Sequence, residues 1–143
     1  SGGASNSGAA ILLDFFNPEY IEELSKQINP NKSTGIDLIP LLGKGERFPI
    51  DDPNLQPKLE PRPVSDSLYL QAILEGLAKI EAKGWAKLKE LGAELPKQII
   101  TIGGGAKNIA WKKIREREIG IPIKVCKRPP AVGVATIALR ALL

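Results

Sequence analysis

The sequence predicts an α/β fold in which helices pack on a small sheet, and three observations lead there. Ile99-Ile100-Thr101-Ile102 and Ile121 to Cys126 are short β-branched runs of strand length. Between them lie a glycine turn and an amphipathic segment, the order of a strand–loop–helix–strand unit whose strands run parallel. Before this unit, apolar residues recur three and four apart over long stretches, which is the helical period.

The elements follow in order. A glycine- and serine-rich opening, Ser1 to Gly8, leads into a short apolar helix over Ala9 to Phe16. Asn17-Pro18-Glu19 then supplies an N-cap, a proline at the first helical position and an acid in the first turn. Ile21, Leu24 and Ile28 give that second helix one buried stripe, and Asn29-Pro30-Asn31 stops it. Residues 32–64 carry prolines at 40, 49, 53, 57, 61 and 63 and read as a long, mostly extended loop with a short strand near Ile36 to Leu42.

Ser65 to Leu91 is the longest predicted helix, with Leu70, Ile73, Leu74, Leu77, Ile80, Leu88 and Leu91 on its buried side. Gly76 and Gly84 each weaken it by roughly 1 kcal/mol relative to alanine, so Gly76 is expected where another backbone passes close by. Gly92 and Pro96 end it. The helix after the glycine turn ends at Ile119-Gly120. Pro129-Pro130 opens a final predicted helix, Ala131 to Leu142, apolar except for Thr136 and Arg140 and therefore expected to be buried.

Composition narrows the chemistry. With 143 residues the chain has room for one domain with a real core. There is no histidine, which removes His-based triads, His metal sites and imidazole acid–base catalysis. The single cysteine, Cys126, cannot form an internal disulfide; it suits a reducing, cytoplasmic setting and reads as core. A net charge of +4 leans toward anionic ligands, while 5% aromatic residues provide no base-stacking platform, so nucleic acid is not an expected partner. No apolar run reaches the ~18 residues of a membrane span. There is no methionine, and the chain reads as a piece of a longer protein.

Most polar residues have structural readings. Asp51-Asp52 read as capping residues of a loop rather than a Mg²⁺ pair, and Glu46-Arg47 as a local ion pair. Lys112, Lys113, Arg115 and Arg117 alternate with Glu116 and Glu118, the pattern of a solvated helix face. Trp111 is expected beneath the glycine turn and Trp85 partly exposed. Neither a catalytic residue nor a metal ligand emerges.

The glycine turn is different. Gly103-Gly104-Gly105-Ala106-Lys107-Asn108 brings bare backbone to the start of a helix, where unpaired N–H groups and the helix dipole favour negative charge. It lacks the Gly-Lys-Ser/Thr of a P-loop and the full Gly-x-Gly-x-x-Gly fingerprint. The residues by themselves leave two readings open, a nucleotide cradle and a tight structural turn, with Asn108 capping the helix in both.

Four segments in order resemble the FGGY carbohydrate kinases. Gly103 to Asn108 with Trp111 is similar to that family's Gly-Gly-Gly-Ala-x-Ser/Asn-x-x-Trp signature. Gly45-Glu46-Arg47-Phe48-Pro49-Ile50-Asp51-Asp52-Pro53 resembles its Gly-Glu-Arg-x-Pro-x-x-Asp-Pro loop, and Leu74-Glu75-Gly76 its Leu-Glu-Gly helix. Gly2-Gly3-Ala4-Ser5-Asn6-Ser7-Gly8 resembles the segment that opens a helix beside the nucleotide, and this run points to the D-ribulose kinase, xylulose-kinase-like branch.

The resemblance implies a ribonuclease H-like, actin-like ATPase C-terminal domain spanning 1–143, incomplete and without its first strands. It implies ATP, with Mg²⁺ carried on it, against Gly103, Gly104, Gly105, Ala106, Lys107 and Asn108, and Gly8 beside the same nucleotide. The sugar would be held mainly by an N-terminal domain absent from this chain, as would the catalytic aspartate, so the fragment alone should be inactive. In a plant homologue the compartment would be an organelle. A non-catalytic actin-like module that binds a nucleotide or a partner is the alternative, and an unpaired sheet edge leads to an expectation of self-association.

Overall fold

A computed structural model describes residues 9–41, 54–102, 108–126 and 135–138. The first element is a 3-10 helix, Ala9–Asp14, whose last turn closes with Leu12 O accepting from the N–H groups of Phe15 (3.1 Å) and Phe16 (2.9 Å). α1 follows at Pro18–Ser25, and the expected Asn17 cap accepts from Tyr20 N at 2.8 Å. Ile21 and Leu24 turn inward, as their spacing requires.

α2, Asp66–Glu90, is the spine of the molecule; its 25 residues run about 37 Å at 1.5 Å per residue. Ser65 caps it, accepting from Leu68 N at 3.3 Å, and Gly92 beyond its end holds a left-handed φ of 92°. Every residue from Tyr69 to Ala78 is buried. The N-terminal half of α2 joins the 3-10 helix, α1, Trp111 and Ile114 in the main core, while Trp85 in its C-terminal half packs on a second cluster built from Ile99, Ile121 and Ile123.

Gly76 is where a close approach is needed. A Cβ there would lie 2.9 Å from the carbonyl oxygen of Leu38 and 2.9 Å from Pro40 Cδ. The strand expected near 36–42 is a single antiparallel bridge, with Ile39 N donating to Lys58 O (2.8 Å) and Lys58 N to Ile39 O (2.9 Å). Pro40 and Pro57 flank the two bridging residues and have no N–H to extend a ladder.

The sheet has three parallel strands, β1 Ile99–Ile102, β2 Ile123–Cys126 and β3 Ala135–Ala138, in the order β2-β1-β3. Ile99 lies opposite both Ile123 and Ala135, and Ile102 opposite both Cys126 and Ala138. α3, Ile109–Ile119, crosses from β1 to β2 and ends at Gly120, whose left-handed φ of 78° closes the helix. β3 corrects the sequence reading, which placed residues 131–142 in a buried helix. Residues 135–138 instead pair with the edge of β1 that β2 leaves open, where a row of backbone donors and acceptors needs partners; the β-branched pair Thr136-Ile137 suits that geometry.

Candidate functional site

All three strands run the same way, so Ile102, Cys126 and Ala138 share one edge of the sheet, the carboxyl edge. Open α/β sheets bind ligands at that edge. The glycine loop leaves β1 there and re-enters described structure at Asn108. Gly8 and Gly103 to Lys107 lie outside the described residues, as do Glu46 to Asp52 and the side chain of Cys126.

Asn108 is placed as its sequence position predicts. Its backbone is extended and its Oδ1 accepts from Trp111 N at 3.0 Å, which caps α3. Its Nδ2 donates to Ser25 Oγ at 2.8 Å, and the Ser25 hydroxyl donates to Ile21 O at 2.7 Å. One hydrogen-bond chain thus fastens the first turn of α3 to the last turn of α1. Among the described residues, Ser25 is the partner of the Asn108 amide group, which has two N–H donors.

Beside this chain opens a cavity of about 810 Å³. Pro18, Glu19, Ile21, Glu22, Ser25 and Lys26 of α1, then Ile28 and Pro30, form one wall; Asn108, Ile109, Ala110 and Lys113 form the other. The volume falls in the range of about 300–1,000 Å³ usual for small-molecule sites. Its lining mixes apolar residues with polar and charged ones: Glu19, Glu22 and Lys26 stand on the α1 wall, and Lys113 on the α3 wall. Among the described residues, no group of three or more His, Cys, Asp or Glu could hold a metal ion. No helix there is long and apolar enough to cross a membrane.

α3 overturns one expectation. Lys113 is exposed, but Arg115 is buried and Arg117 half-buried. Arg115 is 1% exposed: its Nε and Nη2 each lie 2.8 Å from an oxygen of Glu81, its Nη1 donates to Thr101 Oγ1, and its guanidinium sits 5.7 Å from the Trp111 ring. Arg117 donates to Glu75 and to the carbonyl of Pro30. Glu116 does not face away either, since its carboxylate accepts from Ile123 N at 3.0 Å and fixes the start of β2. Read at helical spacing, 111, 114 and 115 form one stripe, so Arg115 stands on the face that Trp111 and Ile114 bury. The alternation of signs hid that signal. Ser25 and Glu81 carried none, because each depends on a partner 83 or 34 residues away.

Trp111 is buried against α2 and Trp85 half-buried against the sheet cluster. Glu75 is 1% exposed and accepts from Thr34 N, Thr34 Oγ1 and Arg117. The Leu-Glu-Gly segment is thereby explained residue by residue: Leu74 fills the core, Glu75 holds the 30–34 segment, and Gly76 admits Leu38 and Pro40.

Two parallel strands joined through a helix that is capped beside a cavity define an α/β domain. The chain belongs to the FGGY family of carbohydrate kinases, whose C-terminal domain matches residues 18–142. L-Fuculokinase from Salmonella typhi is 32% identical to it over 57 residues, 40% of this chain and 12% of that protein. Xylulose kinase from Bifidobacterium adolescentis shares its fold, with a TM-score of 0.68 at 23% identity over 88% of this chain and 26% of that one. Gluconate kinase from Lactobacillus acidophilus does so with a TM-score of 0.68 at 19% identity, over 88% of this chain and 27% of that one. The chain therefore spans about a quarter of the length of these solved relatives and less of the fuculokinase.

Proposed function

We propose that this chain is the nucleotide-binding part of an ATP-dependent carbohydrate kinase, with an actin-like, ribonuclease H-like domain as its frame. The observation that carries the reading is the capped start of α3: Asn108 ends the glycine loop, is tied to Ser25 and borders the cavity. In this reading Gly103 to Lys107 lie along the adenosine and α-phosphate, and Asn108 lies near the base or ribose. The walls from α1 and α3 flank the purine, with Lys113 of α3 exposed beside it. Gly8 approaches the same nucleotide from the other side. Mg²⁺ arrives on the phosphates.

Transfer then follows the general phosphoryl scheme: a sugar hydroxyl attacks the γ-phosphorus, the bond to the ADP oxygen breaks, and an aspartate outside this chain takes the proton. Pentuloses, D-ribulose or xylulose, are the favoured sugars, supported by the resemblance of the Gly2 to Gly8 run. The test is sugar-dependent ADP release by the full gene product that carries this sequence, assayed across pentuloses, hexuloses and polyols. Turnover is expected with a pentulose, and Gly104→Val or Gly105→Val should raise the ATP KM about tenfold or more by filling the backbone approach. Absence of turnover with every sugar, or an ATP KM indifferent to both valines, defeats the reading.

A further inference from the structure

The buried Arg115–Glu81 pair stands where β1 and α3 meet, and its third partner is Thr101, one residue before the last of β1. Those two elements hold the two ends of the glycine loop. The guanidinium fork engages both carboxylate oxygens of Glu81 on α2 and the Thr101 hydroxyl on β1 while its own backbone belongs to α3. One planar group with five donors in a fixed arrangement therefore sets the relative position of three elements. Arg115 and Thr101 are each 1% exposed, so the bond between them is shielded from water.

Stability is a poor reason to keep such a pair. Dry ion pairs gain little over well-packed apolar residues of similar volume, because desolvation offsets the Coulomb attraction. What an apolar replacement cannot reproduce is direction. We propose that Arg115, oriented by Glu81, is a positioning residue for the nucleotide site: it fixes the carboxyl end of β1 against the first turns of α3, and so the span that the loop bridges. Asn108 fixes the far end of the same span through Ser25. This inference rests on the nucleotide reading above and adds residues that touch no ligand.

The experiment uses the full gene product. Arg115→Met combined with Glu81→Leu replaces the pair with apolar volume, and Thr101→Val removes the strand-side acceptor while Thr101→Ser retains a hydroxyl. The expected result is a melting temperature near wild type for the double variant, with the ATP KM raised about tenfold. Its kcat and sugar KM should stay within about twofold. Thr101→Val should raise the ATP KM in the same direction, and Thr101→Ser should restore it. A purely structural role would move the melting temperature and leave that split untouched. Wild-type ATP KM values in the double variant and in Thr101→Val overturn the inference while the nucleotide reading stands. If the double variant does not fold, the Thr101 pair decides alone. A wild-type protein without sugar-dependent ATP turnover defeats the nucleotide reading and this inference with it.

Discussion

The seam between α2 and α3 carries the same device twice, and its two sides use it differently. On the sheet side the arginine is the dry partner: Arg115 is 1% exposed, Glu81 is 16% exposed, and the third partner is a side-chain hydroxyl on a strand. On the loop side the carboxylate is dry: Glu75 is 1% exposed, Arg117 is 27% exposed, and the partners are the backbone and hydroxyl of Thr34 and the carbonyl of Pro30. Gln71 adds to the loop side by donating to the carbonyls of Asn29 and Lys32.

The difference follows from what each side must hold. A strand already has its N–H and C=O groups paired in the ladder, so only a side chain is left to fix its position. The 29–34 segment has no ladder, and its backbone groups need a carboxylate, an amide and a guanidinium to leave water. One side aligns and the other anchors.

The largest expected effect tests that asymmetry directly. Glu81→Ala leaves Arg115 buried without its counter-charge and should lose about 3–5 kcal/mol, read from chemical denaturation. Glu75→Ala should lose less, about 1.5–3 kcal/mol, because Arg117 and Thr34 can both turn to water. Equal losses would break the comparison.

Gly76 sharpens it on the anchoring side. Gly76→Ala puts a Cβ at 2.9 Å from Leu38 O, a backbone atom that must move. Overpacking of about 1–3 kcal/mol outweighs the roughly 1 kcal/mol gained in helix propensity. The net loss should appear as a lower denaturation midpoint, together with faster amide exchange around the Ile39–Lys58 bridge. A more stable Gly76→Ala protein would mean that the segment is not held against α2.

The smallest effect is alkaline. Tyr20 donates to Asp66 at 2.7 Å, and that hydrogen bond, then desolvation and the carboxylate's charge, raises its pKa above the ordinary 10.0. Desolvation raises Tyr69, which donates to Leu59 O at 2.8 Å beneath the Arg62 guanidinium. Both folded pKa values lie above the unfolded one, so their contribution is complete below pH 10.0 and is lost as the pH rises past it through the folded values. Tyr20→Phe and Tyr69→Phe should each flatten the decline in the denaturation midpoint measured one unit below and one unit above 10.0. The Arg115 side, which contains no tyrosine, should show no such decline of its own.

Much of the fold was legible because it rests on local rules. The caps at Asn17 and Asn108 and the end of α3 at Ile119-Gly120 are properties of a few adjacent residues. The crowding at Gly76 was legible too, since a glycine inside a long helix asks for a reason. The helix predicted for residues 131–142 failed where strand pairing won, because a continuous apolar run has no period to separate a buried helix from a strand. In the candidate site, the start of α3 was readable from Gly103 to Asn108, and its bond to Ser25 was not.

The sequence by itself determined the limits of α2 and α3, the β1–loop–α3 order and the family signature that this order carries. Only the tertiary structure decided which charges leave water. Arg115 and Lys112 are one residue type class on one helix, yet Arg115 is buried because α2 brings Glu81 and β1 brings Thr101 to it. The desolvation of a charge is offset only by partners assembled from distant parts of the chain, and no local pattern records where those partners will be.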